Sequence, residues 1–394
     1  MLRAVSLLFV TSLLISGCAS TPAGKMSAEV QPNPEVTISE GVNSLNTNRV
    51  AAKSVGEWGA MKRRFIRVGD HPDPFGEYAG PIVIEGKVYV GNSDGRFLAL
   101  ERESGKVIWE VNFKGGIYAT PAYYGGLLYI SDDTGEVAAI DLLGKKAWSF
   151  KHSAPVVSSM IAEGGVLYLV GADQQLFALE SASGSPVWQF SRKPGKGNHI
   201  WRSQKIALEG DTIYAGFNDG YLLALDARAG AVKWRARVSE EELILDITAG
   251  PVIGDDAVYV ASENGVVAAY SKSDGEELWH AAGGAANGFA LGGGYLYFSK
   301  LTGEVEALDA ATGELKWRTM VNEGAVGGTP TLAGEEVIVA MSRGSVWGLD
   351  AATGKVRRSS HIGSGAAAPI WVDEGGMVIH SHAGAVNFVD FRAP

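Results

Sequence analysis

The chain has 394 residues, 46% of them hydrophobic, with 52 glycines, 14 prolines, one cysteine and a formal net charge of −10. This balance suits a globular core with many tight turns, and a repeat architecture can reach such a length as one unit. An acidic chain without a basic cluster repels phosphate backbones, which argues against nucleic acid as a main partner.

The chain opens with MLRAVSLLFVTSLLISGC. One Arg, an apolar run of signal-peptide length and small residues before a cysteine read as a targeting segment over residues 1–17. The run is too short to be a comfortable membrane-spanning helix. Its end, Ile15-Ser16-Gly17-Cys18, resembles the bacterial lipobox, which implies cleavage before Cys18 and lipidation of its thiol. Ala19 follows rather than Asp, which implies an outer-membrane address with the body facing the periplasm. Cys18 is the only cysteine, so none remains for disulfides, Zn–thiolate sites or a thiol nucleophile. Residues 18–50 are polar and rich in Pro, Ser and Asn, and read as a flexible, lipid-anchored tether. The folded body is expected over 51–394.

One unit then recurs. ALERESGKVIW ends at Trp109, AIDLLGKKAW at Trp148, ALESASGSPVW at Trp188, ALDARAGAVKW at Trp234, AYSKSDGEELW at Trp279 and ALDAATGELKW at Trp317; GLDAATGKVRR places Arg358 where tryptophan would stand. Each copy carries a turn glycine, from Gly105 to Gly354, because a short hairpin needs one residue at positive φ. About ten residues earlier lies a second turn, as in NSDG (Gly95) or FNDG (Gly220). An alternating apolar run such as KVYVG or TIYAG precedes it, and a Pro step opens most units. Each unit reads as four short antiparallel strands. Four strands at a period near 40 residues are the mark of a β-propeller.

Seven units carry the full turn, and an eighth, APIWVDEGGMVIHSHAGAVNFVDF, lacks its last strand. The fold expected is therefore all-β: an eight-bladed propeller closed by an N-terminal strand pairing with the C-terminal blade. The segment VGEWGAMKRRFIRVG would supply that strand, with Trp58 or Phe65 as candidates for the tryptophan slot. The tryptophans themselves are expected to cap the outer strands and pack across to the next blade.

The Gly-x-x-x-Trp repeat resembles that of the pyrroloquinoline-quinone enzymes and their non-enzymatic relatives. With a lipobox, a tether and one propeller, the chain resembles the BamB family, lipoprotein subunits of the outer-membrane β-barrel assembly machinery. The resemblance covers about residues 50–394. It implies a scaffold that binds the periplasmic POTRA domains of the central barrel subunit and assists insertion of outer-membrane proteins, whose unfolded forms are further candidate partners. It implies no catalysis and no cofactor.

Tryptophan spacing points the same way. The intervals are 39, 40, 46, 45 and 38 residues from Trp109 onward, so two adjacent ones are long. The extra residues fall at 191–204 and 238–250, between one blade's last strand and the next blade's first, and insertions on one side of a repeat array often mark its binding face. In the family these connections carry the partner contact. Matched residue by residue, His199, Ile200, Trp201 and Arg202 occupy a Leu-x-Leu-Arg-like segment, with Trp201 at its second apolar position and His199 replacing the first. Asp246 and Thr248 occupy an Asp-x-Asp-like one. An arginine beside an aromatic makes a good anchor; equally, Arg202 and Asp246 could pair with each other across blades.

Two rival readings are weaker. A quinone-dependent dehydrogenase needs a Ca²⁺-type site and a catalytic Asp, and the sequence has no acidic cluster at matching spacing and no vicinal cysteines. A propeller binding another protein or a glycan through its central mouth fits the repeat equally well. His380 and His382 share a strand face, but without an evident third ligand they read as histidines on a solvated face and no metal site is expected.

Overall fold

The computed structural model describes residues 49–50, 64–68, 79–192, 206–238, 247–262 and 265–391. These form eight sheets, each of at least four strands, arranged as blades around a central channel. Blade 1 runs Ile82–Ile84, Lys87–Gly91, Arg96–Glu101 and Val107–Asn112, from the channel outward. Blades 2 to 7 repeat that order. Within a blade the chain reverses at every turn. The turns after the second strands and the connections between blades therefore share one face of the ring, here the upper face. The turns after the first and third strands share the lower one.

There is no single core. Each hydrophobic cluster is built from two adjacent blades, as where Trp188 and Leu176 of blade 3 meet Phe217 and Leu225 of blade 4. Second and third strands are consequently covered on both faces and read as continuous apolar runs such as VYVG and FLAL. Fourth strands face water on their outer side, and their exposure alternates residue by residue.

The eighth blade consists of Trp371–Asp373, Gly376–Ser381 and Ala385–Asp390, completed by Arg64–Arg67 as its outermost strand. The closing strand is antiparallel to Ala385–Asp390. It also copies a mark of the other outer strands: Val68 donates its N–H to the Gly384 carbonyl, as Phe113 does to Gly95 and Val238 to Gly220. A cluster of Val88, Val90, Leu98 and Leu100 with Val378, Val386 and Phe388 joins blade 1 to blade 8.

The tryptophan slot of blade 8 goes to neither expected aromatic. Elsewhere tryptophan pairs with the fourth residue of the third strand, as Trp109 with Ala99. That register position in blade 8 belongs to Phe388, whose partner is Arg64; Phe65 pairs with Asn387, and Trp58 lies outside the described residues. The ring tolerates this because Phe388 is itself large. Ile66 and Phe388 cover Gly105 of blade 1, where tryptophans cover the other turn glycines.

Candidate functional site

Six of the tryptophans make one repeated joint. Trp109, Trp148, Trp188, Trp234, Trp279 and Trp317 donate their indole N–H to the carbonyls of Leu142, Ser181, Ala227, Lys272, Ala310 and Ala351, at 2.8–3.0 Å. Each acceptor lies in the lower-face turn of the next blade. The ring of each indole lies on that turn's glycine. A Cβ on Gly230 would sit 2.6 Å from Trp188, and one on Gly184 2.5 Å from Trp148. These glycines are thus fixed twice, by positive φ and by the indole overhead. A tyrosine of the same blade flanks each tryptophan, with centroids 5.8 Å apart for Tyr89–Trp109 and 6.1 Å for Tyr168–Trp188. Tyr168 and Trp188 donate to the same Ala227 carbonyl. The six tryptophans bind blade to blade.

The face of the long connections is different in kind. Ile200, Trp201 and Arg202, like Asp246 and Cys18, lie outside the described residues. What is described is the platform at Arg192, where the first of these connections begins. Arg192, at the exit of blade 3, holds its guanidinium 4.6 Å from the Tyr221 ring centroid and 5.8 Å from that of Phe217, and pairs with Asp219. Tyr221, Phe217 and Asp219 all belong to the upper-face turn of blade 4 and its flanks. An arginine stacked and ion-paired in this way is held in one orientation.

Beside it, Gln174 occupies the upper-face turn of blade 3 at φ 66°, where the other seven blades place glycine. Its amide oxygen accepts the backbone N–H of Asn218 in blade 4 at 3.0 Å. A non-glycine residue is kept in the left-handed region there by a bond across the blade boundary. On its other side, His152 Nε2 lies 3.0 Å from Asp173 and its ring packs edge-on against Phe177 at 4.7 Å. Neither the Arg192 platform nor Gln174 was singled out in the sequence. The available signal was the missing glycine in GADQQ and the aromatics bracketing FNDGY.

Thr248 stands apart from the surface residues. It is 8% exposed, within the buried first strand of blade 5, and its hydroxyl has no hydrogen-bond partner. Ile247 beside it packs on Gly216 of blade 4, where a Cβ would come within 2.8 Å. Thr248 therefore shapes the base of the connection rather than its outer surface.

His380 corrects the solvated-face expectation. It is fully buried, and its Nδ1 lies 3.1 Å from the Ala79 carbonyl. It sits on a second strand, which neighbouring blades cover on both faces. Burial pulls its pKa down to about 4, so the imidazole is neutral near pH 7 and Nδ1–H donates to Ala79. Among the described residues no group of three or more His, Cys, Asp or Glu side chains is placed to hold a metal ion.

Comparison with known proteins agrees with the architecture. A family model described as outer membrane protein assembly factor BamB matches residues 47–154, 93–269 and 263–390. The chain is 24% identical over 334 residues to the outer membrane protein assembly factor BamB of Burkholderia pseudomallei, covering 83% of this chain and 81% of that one. It is 26% identical over 226 residues to the protein of the same name from Nitrosomonas eutropha, a match spanning 56% of this chain and 55% of that protein's length. Among solved structures, BamB from Moraxella catarrhalis superimposes with a TM-score of 0.74 at 20% identity, covering 84% of this chain and 100% of that one. A quinohemoprotein alcohol dehydrogenase from Comamonas testosteroni reaches a TM-score of 0.68 at 15% identity, covering 86% of this chain and 77% of that one. At such identities the two structures speak for the fold alone. The family model, however, spans the described ring from the strand at Arg49 to the last strand of blade 8, and on that match the chain belongs to the BamB family of outer membrane protein assembly factors.

Proposed function

We propose that the protein is a non-enzymatic scaffold of outer-membrane protein assembly. It is held at the outer membrane by lipid on Cys18, faces the periplasm, and docks the POTRA domains of the central barrel subunit through its upper face. The observation that carries this reading is the Arg192–Tyr221–Asp219 platform on the upper face, at which the first of two adjacent long connections, 193–205 and 239–246, begins. Ile200, Trp201, Arg202 and Asp246 are the proposed contact residues, and Thr248 supports them from below. A rigid ring presents such loops at low ordering cost, so a modest contact area gives useful affinity. The pairing of a basic and an acidic connection favours a partner with complementary charge, which sets orientation and encounter rate.

The test is co-purification of the full-length lipoprotein from mildly solubilised native membranes, beside an Arg202→Glu, Asp246→Arg double variant. The central barrel subunit is expected with the parent protein and not with the folded variant. Its absence from both, with an unrelated protein or a glycan in its place, would overturn the docking assignment.

A further inference from the structure

The exit of blade 3 breaks a rule that the rest of the ring keeps. In seven blades the residue after the fourth strand ties back to its own upper-face turn. Its N–H donates to the carbonyl of the turn glycine at 2.7–3.1 Å, as Phe113 does to Gly95, His152 to Gly135 and Val321 to Gly303. In blade 3 the corresponding residues are Arg192 and Gln174, and among the described residues no such bond joins them.

One substitution accounts for this. Gln174 holds the turn position that is glycine in the other seven blades. A Cβ on Gly95 would lie 2.8 Å from the Phe113 carbonyl oxygen, and one on Gly135 2.5 Å from that of His152. A side chain in the turn and a tied exit therefore exclude each other. Blade 3 carries the side chain, and its exit is held by the next blade instead. The Phe190 ring lies 6.1 Å from that of Phe217, Arg192 stacks on Tyr221 and pairs with Asp219, and Gln174 accepts the Asn218 N–H. These partners all fall within residues 217–221 of blade 4.

Stability alone does not select this arrangement. Gln174 is fully buried at φ 66°, in a region that glycine enters without strain. Its amide nitrogen is also buried without a hydrogen-bond partner. Strain kept at one turn, where a less strained residue serves the other seven, points to function. We propose that Gln174 is a positioning residue of the docking face. Its side chain unhooks the exit of blade 3 from its own turn and seats Arg192 on blade 4, which sets the point at which the first long connection begins. The docking part rests on the function proposed above. The unhooked exit does not.

The test compares the full-length lipoprotein with Gln174→Gly and Gln174→Asn. Glycine restores the common turn, so the Arg192 amide should exchange its hydrogen at least about tenfold more slowly than in the parent. Asparagine tolerates the left-handed region and keeps the Cβ that displaces the exit, so the Arg192 amide should stay as in the parent. Co-purification from native membranes then reads the docking. The Gln174→Gly variant should bring down less barrel subunit, on the order of tenfold, with a urea midpoint at or above the parent's. The Gln174→Asn variant should bring down nearly as much as the parent. A Gln174→Gly midpoint well below the parent's would make Gln174 an ordinary structural contact and overturn the proposal. So would an unchanged Arg192 amide, an undiminished yield from Gln174→Gly, or equal losses from both variants, which would trace docking to the Asn218 bond. If the parent itself brings down no barrel subunit, the docking function fails, and the Arg192 amide still decides whether Gln174 sets the exit.

Discussion

Arg358 and Glu336 form a two-pronged ion pair inside blade 7, Nε to Oε1 and Nη2 to Oε2 both at 2.8 Å, at the position where six other blades set tryptophan against tyrosine. Two neighbouring positions change with it. Ile338 stands where the tyrosine would be, and Gly348 where six blades have alanine, because a methyl there would collide with the Glu336 carboxylate. Glu336 is 1% exposed. Burial pushes its carboxyl up, and Arg358 pulls it partly back.

Removing one partner of a buried pair is costly, and removing both is not. Arg358→Met is expected to destabilise the ring by about 3–5 kcal/mol in urea unfolding. Glu336→Leu with Arg358→Met should lie within about 1–2 kcal/mol of the parent, since apolar replacement of a buried pair is near neutral. A double variant as unstable as the single one would mean that the pair is not the cause.

The joint between Trp188 and Gly230 should be non-additive. Trp188→Ala is expected to cost about 3–5 kcal/mol as a large core truncation. Gly230→Ala meets both the positive φ and the indole. In the Trp188→Ala background only the backbone term of about 1–2 kcal/mol should remain. A double-mutant cycle with no coupling would remove the indole from the explanation of that glycine.

Ring closure has a clasp. Arg102 of blade 1 holds the carboxylate of Asp373 in blade 8, which also accepts the Trp371 indole N–H at 3.0 Å. Arg102 follows the third strand of blade 1 as Leu142 and Ala310 follow theirs, so the clasp replaces the missing tryptophan joint. Burial alone would raise the Asp373 pKa, but Arg102 and Trp371 bring it below the ordinary value. A depressed carboxylate contributes stability that is present above its unfolded pKa near 4 and lost as pH falls through the folded value. Asp373→Asn should cost about 1–2 kcal/mol at pH 7, discounted for partial exposure. The difference from the parent should shrink as pH falls below about 4, as read by urea unfolding at each pH.

His380 works in the adjacent pH window. Its folded pKa of about 4 lies below the unfolded value near 6.5. Between these limits the unfolded chain binds the extra proton, so stability is full above pH 6.5 and falls toward pH 4. The loss is on the order of 3 kcal/mol. His380→Asn keeps a donor for Ala79 and cannot titrate, so its stability between pH 6.5 and 4 should change less than the parent's.

The blades were legible because their demands are local. A glycine at positive φ, a tryptophan four residues on and an apolar run before the next turn all fall within one window, and the unit recurs. The closing strand was legible as a missing piece, but its tryptophan slot was not, since Phe388 fills from the third strand what tryptophan fills from the fourth. The Arg358 pair needed three residues spread over 22 positions to be seen together. His380 misled because alternation on a strand suggests a wet face, and a strand between two blades has none. Arg49–Val50 carries no pattern of its own; a parallel pairing with Leu332 is set by topology alone. For the binding connections the sequence showed where residues were added, and the stacked Arg192 beneath them became visible only when Tyr221 and Phe217 were brought beside it.

The eighth blade combines residues 64–67 with residues 371–390. The first of these is synthesised at the outset and the second at the end. Until then the early strand has no sheet to join, and blade 1 shows an uncovered flank where Phe388 belongs. The ring is consequently a checkpoint on completeness: a chain cut short by a single blade has no seam to seal, and its open flanks would mark it for recapture or proteolysis.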